Sequence, residues 1–105
     1  MTVQDKISIE IQYFNGCPHS DEMIQRVRTA CTKFEDSIDY RERLVETPEE
    51  AERIKFRGSP TVIINGSDLD NMPEPVSGSL ACRYYPNGLP EVNKIENMIR
   101  SHLIK

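Results

Sequence analysis

From Ile7 to Phe14 the chain alternates: Ile7, Ile9, Ile11 and Tyr13 fall on one side, Ser8, Glu10 and Gln12 on the other. A period of two over that length predicts a strand with one buried face. The period then changes. Met23, Ile24, Val27, Ala30, Cys31 and Phe34 recur at spacings of three and four, which predicts a helix from about Pro18 to Phe34 with Cys31 on its core-facing stripe. Ser37 to Val45 reads as a second strand, with Ile38, Tyr40 and Leu44 on one side. Thr47-Pro48-Glu49-Glu50 carries an N-cap threonine, a first-position proline and a glutamate three residues on, the marks of a helix start. That helix is expected to end near Phe56, with Gly58 placed to close it. Thr61 to Ile64 is a β-branched run and reads as a buried strand. Asn65-Gly66 is a hairpin signal, returning the chain through Ser67 to Asp70. Residues 71–89 hold Pro73, Pro75, Gly78, Cys82, Pro86 and Gly88 and show no period. Loops of that length are uncommon in compact domains and are often functional. A last helix from about Glu91 buries Val92, Ile95, Ile99 and Leu103, and the polar segment Met1 to Lys6 is expected to fray.

The resulting order is β-α-β-α-β-β-α, an α/β domain over residues 1–105 with a mixed four-stranded sheet. The first two strands are expected to be parallel through a right-handed crossover, the last two antiparallel. The polar side of the first strand implies a second face only partly covered, with one helix there and two on the other side.

Composition narrows the function. Thirteen Lys and Arg stand against seventeen Asp and Glu, a net charge of −4, which excludes a general nucleic-acid footprint. No apolar run approaches the ~20 residues of a membrane span, and the N-terminus has no signal-peptide pattern, so a cytoplasmic chain is expected. Three cysteines in that setting suit redox or metal chemistry better than a disulfide framework. Cys17 stands where the first strand hands over to the first helix, with Pro18 suited to the first helical position. The free N–H groups and dipole of a helix start stabilise a thiolate there. Asp21 and Glu22 oppose that effect; a protonated His19 reinforces it. One His beside one Cys is too little for a closed metal site, so no metal or cofactor is expected.

Tyr13-Phe14-Asn15-Gly16-Cys17-Pro18-His19-Ser20 and Gly58-Ser59-Pro60-Thr61-Val62 lie in an order, with room for a helix, a strand and a second helix between them, that resembles the thioredoxin/glutaredoxin superfamily. There the first motif is Cys-x-x-Cys or Cys-x-x-Ser and the second is the cis-proline loop. The resemblance implies a thioredoxin-like fold and a thiol–disulfide oxidoreductase in which Cys17 is the nucleophilic thiolate. Ser20 occupies the position of the resolving cysteine, which makes the motif monothiol, since a hydroxyl cannot resolve a mixed disulfide. Pro18, His19, Ser59, Pro60 and Thr61 are then the expected substrate-binding residues, with the Ser59–Pro60 backbone as a peptide-binding edge. Protein or small-molecule thiols and disulfides are the implied partners. Neither the basic residue before the cysteine nor the Gly-Gly-x-Asp pattern of glutaredoxins is present.

Two readings stand for Cys82. The hairpin runs away and returns, so the 71–89 loop leaves from the Cys17 end of the sheet, and Cys82 could serve as a distal resolving thiol beside the positive charge of Arg83. Alternatively it is a loop cysteine tucked under Tyr84 and Tyr85. Two further functional classes stay open: a soft-metal or organomercurial binding protein using both thiols, as occurs among related folds, and a non-catalytic interaction module.

Overall fold

The structure, a computed structural model, describes residues 6–103; apart from Lys6, the segment expected to fray lies outside the described residues. The observed order is β1 (Ile7–Tyr13), α1 (Ser20–Thr32), β2 (Ile38–Leu44), α2 (Pro48–Ile54), β3 (Thr61–Ile64), β4 (Ser67–Asp68) and α3 (Val92–Leu103). The sheet runs β2-β1-β3-β4. β1 and β2 are parallel in register Ile7 to Ile38, while β3 runs antiparallel to both β1 and β4.

The isoleucine face of β1 meets α1 and α3. Ile9, Ile11, Met23, Val27, Ile95 and Ile99 are fully buried there, with Cys31 among them. The other face is partly polar. Glu10 accepts from Arg43 of β2 at 2.7 Å, and Arg43 reaches Glu50 of α2 at 3.4 Å. A smaller core of Val45, Ala51 and Phe56 seats α2 on this side.

Burial pushes the Cys31 thiol up to about 11, so it is expected to resist alkylation in the folded protein. Cys31→Ala is expected to cost on the order of 1 kcal/mol without touching thiol chemistry elsewhere; urea denaturation and thiol assays on the same variant check both parts.

Local chemistry accounts for several boundaries. The Thr47 hydroxyl accepts from the Glu50 amide at 3.1 Å, the expected cap. Asn65 and Gly66 both take positive φ, as a hairpin turn of this type requires. Other boundaries differ from expectation. Pro18 does not open α1: residues Cys17 to Ser20 form a turn, with the Ser20 amide donating to the Cys17 carbonyl at 3.3 Å, and His19 is the N-cap. α2 closes on Lys55 in the left-handed region, not on Gly58. Gly58 instead accommodates a close approach: at φ +107°, a Cβ there would lie 2.8 Å from the Arg83 Cβ. Leu103 is 41 % exposed because the α3 stripe runs past the end of the core.

The 71–89 segment lacks regular structure but is fastened along its length. Glu52 accepts from the Ser77 hydroxyl and the Gly78 amide, Arg57 donates to the Met72 carbonyl, and Arg26 of α1 donates to the carbonyls of Leu89 and Pro90. Gly78 lies so close to α2 that a Cβ would overlap the Ala51 carbonyl oxygen at 2.1 Å.

Candidate functional site

Cys17, at the end of β1, and Cys82, deep in the 71–89 segment, are joined by a disulfide. Their Cα atoms lie 5.7 Å apart across 65 residues of sequence, within the span such a bond needs. Cys17 is 8 % exposed, whereas Cys82 belongs to the exposed surface. The reading of Cys82 as tucked under its tyrosines does not hold, because Tyr84 is 82 % exposed. The second sulfur of the site therefore comes from outside the Cys-Pro-His-Ser motif.

Ser20 does something else. Its buried hydroxyl shares a 2.8 Å hydrogen bond with the Ser59 hydroxyl, which also accepts from the Phe14 amide at 3.1 Å. This serine pair ties the start of α1 to the loop before β3. The Ser59–Pro60 peptide is cis. Ser59 and Thr61, expected on a substrate edge, are 1 % and 0 % exposed and are bonded within the chain.

Three residues of the Cys82 segment hold that loop. The Ser59 amide donates to the Ala81 carbonyl at 2.8 Å and the Arg83 amide donates to the Ser59 carbonyl at 2.9 Å, a parallel bridge that places Cys82 opposite Ser59. Arg83 then turns inward. It donates to both carboxylate oxygens of Asp68 at 2.7 and 3.0 Å and to the Thr61 hydroxyl at 3.1 Å, and its guanidinium stacks 4.7 Å from the Tyr85 ring centroid. Tyr85 donates to the Pro60 carbonyl at 2.5 Å. Arg83 thus spends its charge on Asp68, correcting the expectation that it serves the Cys82 thiolate.

Asp68 was legible only as part of a returning strand, and nothing local marks it as the anchor of a segment fifteen residues on. Burial by itself raises its carboxyl, but the hydrogen bonds from Arg83 and from the Met72 and Asp70 amides outweigh it and leave the pKa below the ordinary value. A carboxyl lowered by folding gives stability that is complete above its unfolded value, near ~3.9, and is lost as pH falls through the folded value. Wild type is therefore expected to lose more stability than Asp68→Asn between about pH 6 and about pH 3; urea midpoints at the two pH values test this.

A cleft of about 330 Å³ is lined by His19, Glu22, Arg26, Arg83, Tyr84 and Tyr85, and by neither cysteine. His19 and the exposed Pro18 follow Cys17, and Arg83 and Tyr84 follow Cys82, so the cleft lies against residues adjoining both cysteines. No group of three or more His, Cys, Asp or Glu among the described residues is disposed to hold a metal.

Among solved structures the chain aligns over 97 % of its length with chloroplastic thioredoxin z, covering 82 % of that protein at a TM-score of 0.65 and 12 % identity. The fold is thioredoxin-like. The germline-specific thioredoxin Deadhead of Drosophila melanogaster is similar over 92 % of this chain and 81 % of its own, at TM-score 0.55 and 20 % identity. A thioredoxin-like protein from Clostridium perfringens is similar over 94 % and 72 %, at TM-score 0.53 and 19 % identity. No protein-family model and no curated protein matches the chain. On this thioredoxin-like frame, Cys17 stands at the β1–α1 junction, while the 71–89 segment carries the partner cysteine. No helix among the described residues is long and apolar enough to cross a membrane.

Proposed function

We propose that this chain is a single-domain thiol–disulfide oxidoreductase in which Cys17 and Cys82 form one dithiol–disulfide couple. The observation that carries the proposal is their bond across 65 residues, with Cys17 in the turn that leads into α1 and Cys82 on the surface. A partner thiolate attacks the sulfur of the exposed Cys82; the partner–Cys82 bond forms and the Cys17 sulfur leaves as a thiolate. A second partner thiolate displaces Cys82, releasing the partner as its disulfide and leaving the protein with two thiols. Two electrons pass from the partner thiols to the protein. Run backwards, a partner disulfide is reduced, and the Cys17 thiolate is the nucleophile that closes the bond onto Cys82. This order inverts the one the sequence resemblance implies, because Cys17 is the buried sulfur. Ser20 and Ser59 act as positioning residues, holding the helix start against the Pro60 loop.

Equilibration in mixtures of reduced and oxidised glutathione, read by intact mass after acid quenching, tests the couple. The expected result is a protein that shifts between dithiol and disulfide as the mixture is varied. A disulfide unchanged across the whole range would exclude a redox role.

A further inference from the structure

An extended peptide docks on a sheet edge by using its free N–H and C=O groups. Beside Cys17 the available groups are those of Ser59, and both are already taken: its N–H by Ala81 and its C=O by Arg83. The segment that takes them is not held by the disulfide alone. Arg83 is fixed to Asp68, whose side chain is 1 % exposed, and is itself 8 % exposed. Tyr85 is fixed to the Pro60 carbonyl, and Gly58 has no side chain to keep Arg83 away. Lifting the segment off would remove both hydrogen bonds from Arg83 and leave the buried Asp68 carboxylate with only Arg57, at 4.0 Å, to neutralise it.

We infer that the Ala81–Arg83 segment fills the peptide edge in both redox states, so that the exchange partner of this protein is a small thiol or small disulfide and not an extended polypeptide. This deepens the redox reading above and rests on it. Reduction breaks one covalent bond and leaves the Ser59 bridge, the Arg83–Asp68 pair and the Tyr85–Pro60 bond in place. The partner reaches the exposed Cys82 from the solvent side; the cleft of about 330 Å³ lined by Arg83 and Tyr84, the two residues that follow it, is at the small end of the range of small-molecule pockets.

Two measurements test this. The first is amide hydrogen exchange on protein reduced with a phosphine, which needs no exchange chemistry from the protein. Protection at the Ser59 and Arg83 amides is expected to survive reduction; its loss at both would overturn the inference. The second compares reduction of the oxidised protein by N-acetylcysteine and by an extended peptide with one central cysteine of matched thiol pKa. Wild type is expected to gain nothing from the peptide's flanking residues, whereas Asp68→Asn, with its segment loosened, is expected to gain. A peptide advantage of about tenfold or more in wild type, equivalent to about 1.4 kcal/mol, would overturn the inference. A disulfide that neither thiol reduces would count against the redox reading itself, and amide protection would still decide whether the segment stays docked.

Discussion

Cys17→Ser is expected to end redox cycling and to lower the stability of the oxidised protein by about 4 kcal/mol, the loop-closure value for a bridge of this span. Both effects come from the same bond. The disulfide closes a loop of 65 residues, so its loss returns to the unfolded chain an entropy that grows with loop length. With serine at position 17, Cys82 still forms a mixed disulfide by attacking a partner disulfide, but the protein has no thiolate at position 17 to displace it, and without added thiol the adduct is expected to accumulate. Intact mass reads the adduct and urea denaturation reads the stability. Reduced wild type is the control: it should unfold close to Cys17→Ser, since both lack the bridge. A variant that cycles normally, or one as stable as oxidised wild type, would contradict the assignment.

Asp68→Ala is expected to cost roughly 3–5 kcal/mol, because removing one partner of a buried ion pair leaves the other uncompensated. Asp68 holds Arg83 through two hydrogen bonds, and Arg83 lies next to Cys82. The double variant Asp68→Ala/Arg83→Met removes both charges and is expected to recover part of that loss, since a matched apolar replacement can be close to neutral. Urea unfolding of the two variants, each in oxidised and reduced form, separates the ion pair from the bridge. If the double variant is less stable than Asp68→Ala by the full cost of a second independent substitution, Arg83 and Asp68 do not act as a pair.

Periodicity carried most of the frame. Ile7, Ile9 and Ile11 specify a one-sided strand, Met23 to Phe34 a helical stripe, and Asn65-Gly66 a turn whose two residues do take positive φ. These features depend on neighbours within a few positions, so local sequence contains them. The 71–89 segment has no such neighbours. Its order comes from Asp68, Ser59 and Glu52, partners drawn from three other elements, and no spacing rule links a strand aspartate to an arginine beside a loop cysteine. Gly58 follows the same rule: a glycine after a helix has the sequence signature of a cap, and its role depends on Arg83, which packs against it from 25 residues away. Ser20 likewise reads as a missing cysteine, when its hydroxyl is one half of a buried pair with Ser59. The disulfide itself stood as one of two open readings for Cys82, because sequence cannot supply a Cα separation.

The most direct test is the pH dependence of alkylation of each thiol in the reduced protein, with the modified cysteines mapped by mass before and after mild oxidation. Cys82 is expected to be alkylated first in the reduced protein and Cys17 more slowly, because Cys17 is 8 % exposed; both are expected to lose reactivity on oxidation, and Cys31 is expected to stay unmodified throughout. A Cys82 that stays as reactive after oxidation as before it would mean that the thioredoxin-like frame here serves binding and not redox chemistry.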